Sequence, residues 1–168
     1  MRRITMLSTV GALTLVMTVL AAGVALAEFI EGNPEDNRLI GTPTTDTIYG
    51  RGGDDLIEAR AGRDIVDGGR GHDDIYGEER GDQLFGRDGN DYIEGGGGED
   101  ELFGFGGDDV LVTGNDKQPD EVRCGPGDDI AYVSGSDHSV LTNRHQCEEI
   151  QTFKSFDEIV NPEGTAGP

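Results

Sequence analysis

Gly86-Arg87-Asp88-Gly89-Asn90-Asp91-Tyr92-Ile93-Glu94 is one unit of a nine-residue period that runs through the middle of the chain. Stepping outward from it by nines, Asp recurs at Asp46, Asp55, Asp64, Asp73, Asp82, Asp91, Asp100 and Asp109. Two places after each stands an aliphatic residue: Ile48, Ile57, Val66, Ile75, Leu84, Ile93, Leu102 and Leu111. Glycine opens nearly every unit (Gly41, Gly50, Gly68, Gly77, Gly86, Gly95, Gly104) and returns at the fourth place in Gly53, Gly62, Gly71, Gly89, Gly98 and Gly107. Eight consecutive units, 41–49 through 104–112, stay in phase, and self-similarity at a fixed short period is the mark of a repeat architecture.

Each unit divides by physical type. Its Gly-rich first half suits a turn that needs φ > 0 and close backbone approach. The closing Asp-x-aliphatic-x alternates with period two, as a short strand does, with the Asp and the aliphatic on one face and the aliphatic pointing inward. Two nine-residue halves make one eighteen-residue coil, so alternate units stack. Asp46 then lies over Asp64, Asp82 and Asp100 on one edge, and Asp55 over Asp73, Asp91 and Asp109 on the other. The expected fold is all-β: a parallel β-roll, that is, a right-handed β-solenoid of two facing sheets.

After Val112 the period slips by two residues at Thr113-Gly114. It resumes weakly over 115–123, with Asp120 and Val122, and more clearly over 124–132, with Gly127, Asp129 and Ala131. The roll is expected over 41–132, regular to 112 and degenerate over 115–132. Residues 28–40 read as a polar lead-in, 133–150 as an irregular C-terminal cap, and 151–168, with Pro162, Gly164, Gly167 and Pro168, as a flexible tail.

Composition narrows the chemistry. The 168 residues carry 34 acidic groups against 13 basic ones, a formal charge of −21, with 34% apolar residues and no Trp. By charge and hydropathy the chain sits near the disordered class, so something beyond an ordinary core must hold it together. A polyanion repels nucleic acid and anionic lipid alike, which leaves cations as the natural partners.

Both termini bear on compartment. Arg2 and Arg3, then an apolar stretch from Ile4 to Ala27 closing on Ala25-Leu26-Ala27, read as a secretory signal over 1–27 with cleavage before Glu28. The alternative is an uncleaved anchor, since the stretch is long enough to span a bilayer. Ile4-Thr5 continues the Arg pair poorly for twin-arginine export. Cleavage would leave 34 acids, 11 bases and a charge of −23, on a protein that is secreted or at the cell surface and has no membrane partner. Cys124 and Cys147 both lie beyond the signal, where thiols oxidise, and a disulfide pinning the cap is the economical reading. Its loop entropy is worth about 3 kcal/mol. A metal site would want more Cys or a His pair, and His145 is the one candidate.

The units resemble the nonapeptide G-G-x-G-x-D-x-U-x of RTX (repeats-in-toxin) proteins, a calcium-binding parallel β-roll. The resemblance implies that Asp carboxylates and loop carbonyls from stacked turns enclose several Ca²⁺ ions. The ligands it points to are Asp46, Asp55, Asp64, Asp73, Asp82, Asp91, Asp100, Asp109 and Asp129. Cys124-Gly125-Pro126-Gly127-Asp128-Asp129, followed by Cys147-Glu148-Glu149, also resembles the end of small exported bacterial calcium-binding proteins of this repeat type. Relatives exported in one dedicated step carry a C-terminal address and no cleavable N-terminal signal, the reverse of this chain. Many are tails on a protease, lipase or toxin, and no such domain fits here.

Calcium takes six to eight hard oxygen ligands, which Asp and carbonyls supply and His or Cys do not. Irregular loops should bind it worse: Pro43 and Thr44 in unit 41–49, Ala59 for the opening glycine of its unit, and Arg80 at a fourth place. The outward ninth positions Tyr49, Phe85 and Phe103, interrupted by Asp67, form an aromatic stripe best explained by cross-strand packing. His72 and His138 are isolated and solvent-facing. No H-E-x-x-H, G-x-S-x-G or phosphate-binding Gly-Lys-Ser occurs, so an enzyme is not expected. The alternative to calcium binding as the function itself is an adhesive or partner-binding surface protein in which the ion is structural.

Overall fold

A computed structural model describes residues 14–15, 26–134, 140–141 and 147–153. The described chain is all-β, without a helix, and every strand pairing is parallel. One sheet stacks β1 (Thr14–Leu15), β3 (Asn37–Ile40), β5 (Leu56–Glu58), β7 (Asp74–Glu79), β9 (Tyr92–Gly97), β11 (Val110–Val112), β13 (Ile130–Ser134) and β15 (Glu149–Phe153). The other stacks β2 (Phe29–Glu31), β4 (Thr47–Tyr49), β6 (Ile65–Arg70), β8 (Gln83–Asp88), β10 (Glu101–Gly106), β12 (Glu121–Arg123) and β14 (Val140–Leu141). Odd strands stack on odd and even on even, the topology of a parallel β-solenoid of about six turns.

The register explains why the nine-residue period folds this way. Each aliphatic sits over its counterpart one coil away, as Ile48 over Val66 and Val66 over Leu84, or Ile57 over Ile75 and Ile75 over Ile93. Those side chains are fully buried and form one core cluster between the sheets, a row from each sheet with one aliphatic per unit. Main-chain bonds repeat the same step: Asp74 N–H donates to the Asp55 carbonyl at 2.8 Å and Tyr92 N–H to that of Asp73 at 2.8 Å. The two-residue slip at Thr113-Gly114 is absorbed in the loop between β11 and β12, and the stack resumes with Leu102 over Val122 and Leu111 over Ala131.

The stack is longer than the nine-residue pattern indicates. The expected lead-in at 28–40 holds β2 and β3, with Ile30 paired to Ile48 and Leu39 to Ile57. Its polar character hid this: the unit Gly32-Asn33-Pro34-Glu35-Asp36-Asn37 keeps the glycine and the Asp-like position but replaces the Asp by Asn37. At the other end β15 extends the first sheet from the expected cap into the expected tail, through Ala131 paired to Ile150. Cys124 and Cys147 are joined, with Cα atoms 5.3 Å apart. The expected signal segment lies outside the described residues apart from 14–15 and 26–27, as do His138, His145 and the tail beyond Phe153.

Candidate metal centre: two columns of buried carboxylates

The nine Asp residues marked by the sequence all lie in the two edges of the roll and are almost completely buried, none more than 2% exposed. Asp46, Asp64, Asp82 and Asp100 form one column, joined by Asp120; Asp55, Asp73, Asp91, Asp109 and Asp129 form the other. Each uses Oδ1 to lock the stack. Asp55 N–H donates to Asp73 Oδ1 at 2.9 Å, Asp73 to Asp91 at 2.9 Å, Asp91 to Asp109 at 2.9 Å and Asp109 to Asp129 at 2.8 Å. In the other column Asp46 N–H donates to Asp64 Oδ1 at 2.6 Å, Asp64 to Asp82 at 2.8 Å and Asp82 to Asp100 at 2.8 Å.

The second oxygen is left over. Oδ2 of Asp55, Asp64, Asp73, Asp82, Asp91, Asp109 and Asp129 is buried and has no hydrogen-bond partner among the described residues. A buried, unsatisfied carboxylate oxygen is costly, and so many in file make an arrangement whose charge and free lone pairs suit a cation. The opening glycines make the space for it. A Cβ on Gly50, Gly68, Gly86 or Gly104 would strike Oδ2 of the Asp five residues later, and on Gly50 and Gly104 also a carbonyl oxygen of the next coil. Carboxylate and carbonyl oxygens therefore face one small space at these turns.

Burial pushes these carboxyls up, the lattice of backbone N–H donors pulls part of the way back, and neighbouring carboxylates push further. Asp82 rises to about 8, Asp55 and Asp91 to about 7, and Asp64, Asp73 and Asp109 to about 6. Without a cation the columns would hold protons near neutral pH. Among the described residues no three His, Cys, Asp or Glu side chains converge on one point. A cation here would have one or two carboxylates and must complete its shell with loop carbonyls or water, a hard-oxygen set that fits calcium and not zinc.

Asp46 differs. Thr42 N–H donates to its Oδ2 at 2.6 Å, the Thr42 hydroxyl reaches the same atom at 2.9 Å, and Glu28 N–H donates to Oδ1 at 2.7 Å. Both oxygens are satisfied without an ion, the local result of Thr42 and Pro43 in the loop.

Several features escape the nine-residue pattern. The fifth positions of one edge form an outer ladder: His72 N–H donates to Asp54 Oδ1 at 2.8 Å, Asn90 N–H to His72 Nδ1 at 2.8 Å, Asp108 N–H to Asn90 Oδ1 at 2.9 Å and Asp128 N–H to Asp108 Oδ1 at 3.0 Å. His72 is exposed, yet its ring serves as an acceptor in this series, a role signalled only by the shared acceptor character of Asp, His and Asn. The second positions of units 50–58 through 104–112 also adopt φ > 0, and five are not glycine: Arg51, Arg60, Glu78, Arg87 and Phe105.

The outer stripe is a packed cluster. Phe85 and Phe103 stack at 4.8 Å, Arg87 lies over Phe85 and Phe105 at 5.1 and 4.6 Å, and Arg87 bonds Asp67 at 2.7 Å, so Asp67 anchors the stripe it interrupts.

A family model described as the RTX calcium-binding nonapeptide repeat (4 copies) matches residues 23–57, 31–66, 40–75, 51–84 and 76–111. The chain belongs to this family. The RTX match opens at residue 23, ahead of the first complete nine-residue unit at 41, in keeping with the early strands β2 and β3. No curated protein and no solved structure matches the chain. RTX membership bears on calcium through the repeat, whose Asp positions form the two carboxylate columns of this chain.

Proposed function

We propose that this protein is a non-enzymatic calcium binder of the extracytoplasmic space whose folding is driven by the ions it takes up. One observation supports this above the others: a file of buried Asp Oδ2 atoms without hydrogen-bond partners among the described residues, of which those of Asp55, Asp73, Asp82, Asp91 and Asp109 each face an opening glycine. Asp55, Asp64, Asp73, Asp82, Asp91, Asp109 and Asp129 would hold Ca²⁺ through that oxygen, with Asp100 alike in position and Asp46 a weak contributor because Thr42 already satisfies it. Calcium would supply positive charge and coordination bonds that exist only in the stacked state, so its binding energy appears as folding energy. Meanwhile the chain's own Oδ1 atoms hold adjacent turns in register, which makes each site depend on a neighbour already in place. The regular repeats 41–112 carry 19 acids against 6 Arg, so self-repulsion opposes the ion-free fold.

Export by the 1–27 segment, followed by cleavage, fits this reading, because millimolar external calcium matches weakly preorganised sites. The aromatic rings pack on one another and on Arg87 and Arg123, so the adhesive alternative gains no specific support from them. Equilibrium dialysis of residues 28–168 against Ca²⁺, with metal counted by mass spectrometry, tests the proposal. Several ions bound per chain, with Mg²⁺ a poor substitute, is the expected result; fewer than two would overturn it.

A further inference from the structure

The regular column does not stop at the last repeat. Asp129 N–H donates to Glu148 Oε2 at 2.8 Å, the same bond that Asp109 N–H makes to Asp129 Oδ1 at 2.8 Å. Glu148 thus stands where the next coil would place its Asp, although no nine-residue unit surrounds it. It lies one residue after Cys147, and Glu149 beside it opens β15 in register with Ile130. Cys124 occupies the opening position that is glycine in most of the regular units, and its bond to Cys147 ties the segment that carries Glu148 to this turn. Independently, Asp129 is 0% exposed and its Oδ2 is buried with no hydrogen-bond partner among the described residues.

We propose that Glu148 is the closing carboxylate of the column and that the Cys124–Cys147 disulfide holds it there, completing a terminal calcium site that requires the oxidised bond. The inference rests on the calcium reading above. A Glu has the added reach to meet Asp129 from a chain that no longer follows the coil. The disulfide supplies the constraint that repeat stacking supplies elsewhere.

The test counts bound Ca²⁺ on residues 28–168 in four forms: oxidised wild type, Glu148→Gln, Cys124→Ser/Cys147→Ser, and the triple variant. Glu148→Gln keeps an acceptor for the Asp129 N–H while removing the charge. Glu148→Gln and the double Ser variant should each bind one ion fewer than wild type, and the triple variant no fewer than either. A full complement in Glu148→Gln overturns the assignment of Glu148. Additive losses in the triple variant show that the disulfide acts by another route and overturn the coupling. Oxidised wild type binding no calcium would instead sink the calcium reading itself.

Discussion

The two edges of the roll are built from alternate units of one repeat, yet they are not alike. On the edge of Asp55, Asp73, Asp91, Asp109 and Asp129, the fourth position is always glycine with φ > 0, at Gly53, Gly71, Gly89, Gly107 and Gly127. That edge also has the outer Asp54-His72-Asn90-Asp108-Asp128 ladder. Between residues 41 and 123 the edge of Asp46, Asp64, Asp82 and Asp100 collects the irregular loops: Thr42-Pro43-Thr44, Ala59, Arg80 and the two-residue insertion after Val112. Its fifth positions are Thr45, Arg63, Gly81 and Glu99, which cannot form an acceptor ladder, and the Arg63 charge partly offsets the rise at Asp82. An eighteen-residue coil sends consecutive units to opposite edges, so substitutions confined to alternate units leave one edge intact. The regular edge is accordingly expected to take up calcium more tightly, while the irregular one leans on substitutes such as Thr42.

The largest effect should come from Asp73→Ala set against Asp46→Ala. Asp73 bonds Asp55 N–H, presents a free Oδ2 and stacks on Asp91, whereas Asp46 is already satisfied by Thr42 and Glu28. Removing a buried hydrogen-bond partner costs about 1–3 kcal/mol, so the calcium midpoint of Asp73→Ala should rise about tenfold or more. Asp46→Ala should shift it far less, and equal shifts in a calcium titration would erase the distinction between the edges.

The next effect is one of pH. The raised carboxyls bind protons more tightly folded, at about 6 to 8, than unfolded, at 3.8. In chelator, stability should therefore increase as pH falls from about 8 towards 4, because the folded state takes up the extra protons. With calcium the trend should reverse, since protons compete for the same oxygens. Parallel curves with and without calcium would contradict the placement of charge in the columns.

Exchanging fourth positions between the edges gives a smaller change. Arg80 sits at φ 75, so Arg80→Gly should stabilise by about 1 kcal/mol and raise the thermal midpoint in saturating calcium by a few degrees. The reverse exchange on the regular edge, Gly89→Arg, forces a Cβ onto the Gly71 carbonyl oxygen and should lower the midpoint by more. Smallest of all, Phe103→Ala removes one stacked ring from the outer face, worth about 0.5–1.5 kcal/mol, and should leave calcium stoichiometry unchanged. A lost ion in that variant would tie the aromatic cluster to the columns.

The period, the alternate stacking and the two columns were legible because Asp and an aliphatic recur on one strand face at every ninth step. The disulfide was legible from two cysteines alone. The first coil was not, since Asn37 replaces the Asp; its acceptor Oδ1 serves the Asn33 N–H, and its own N–H still bonds Asp55, so the geometry survives without the consensus residue. Glu148 was hidden because a crosslink and not a repeat brings it to the column. Strain at Arg51 or Phe105 left no mark either, because a non-glycine residue at φ > 0 is visible only once the backbone is known. Asp120 was seen in the pattern but not singled out, as the insertion blurred its phase.

The central claim is that cations hold this roll together, since one buried aliphatic per unit is a thin core for so charged a chain. Far-UV circular dichroism of residues 28–168 in chelator, then with rising Ca²⁺ and separately Mg²⁺, addresses it directly. The account predicts a largely unfolded spectrum in chelator, a sigmoidal gain of β signal with a midpoint of roughly 0.1–1 mM Ca²⁺, and little response to Mg²⁺. A full β spectrum in chelator that calcium leaves unchanged would contradict it.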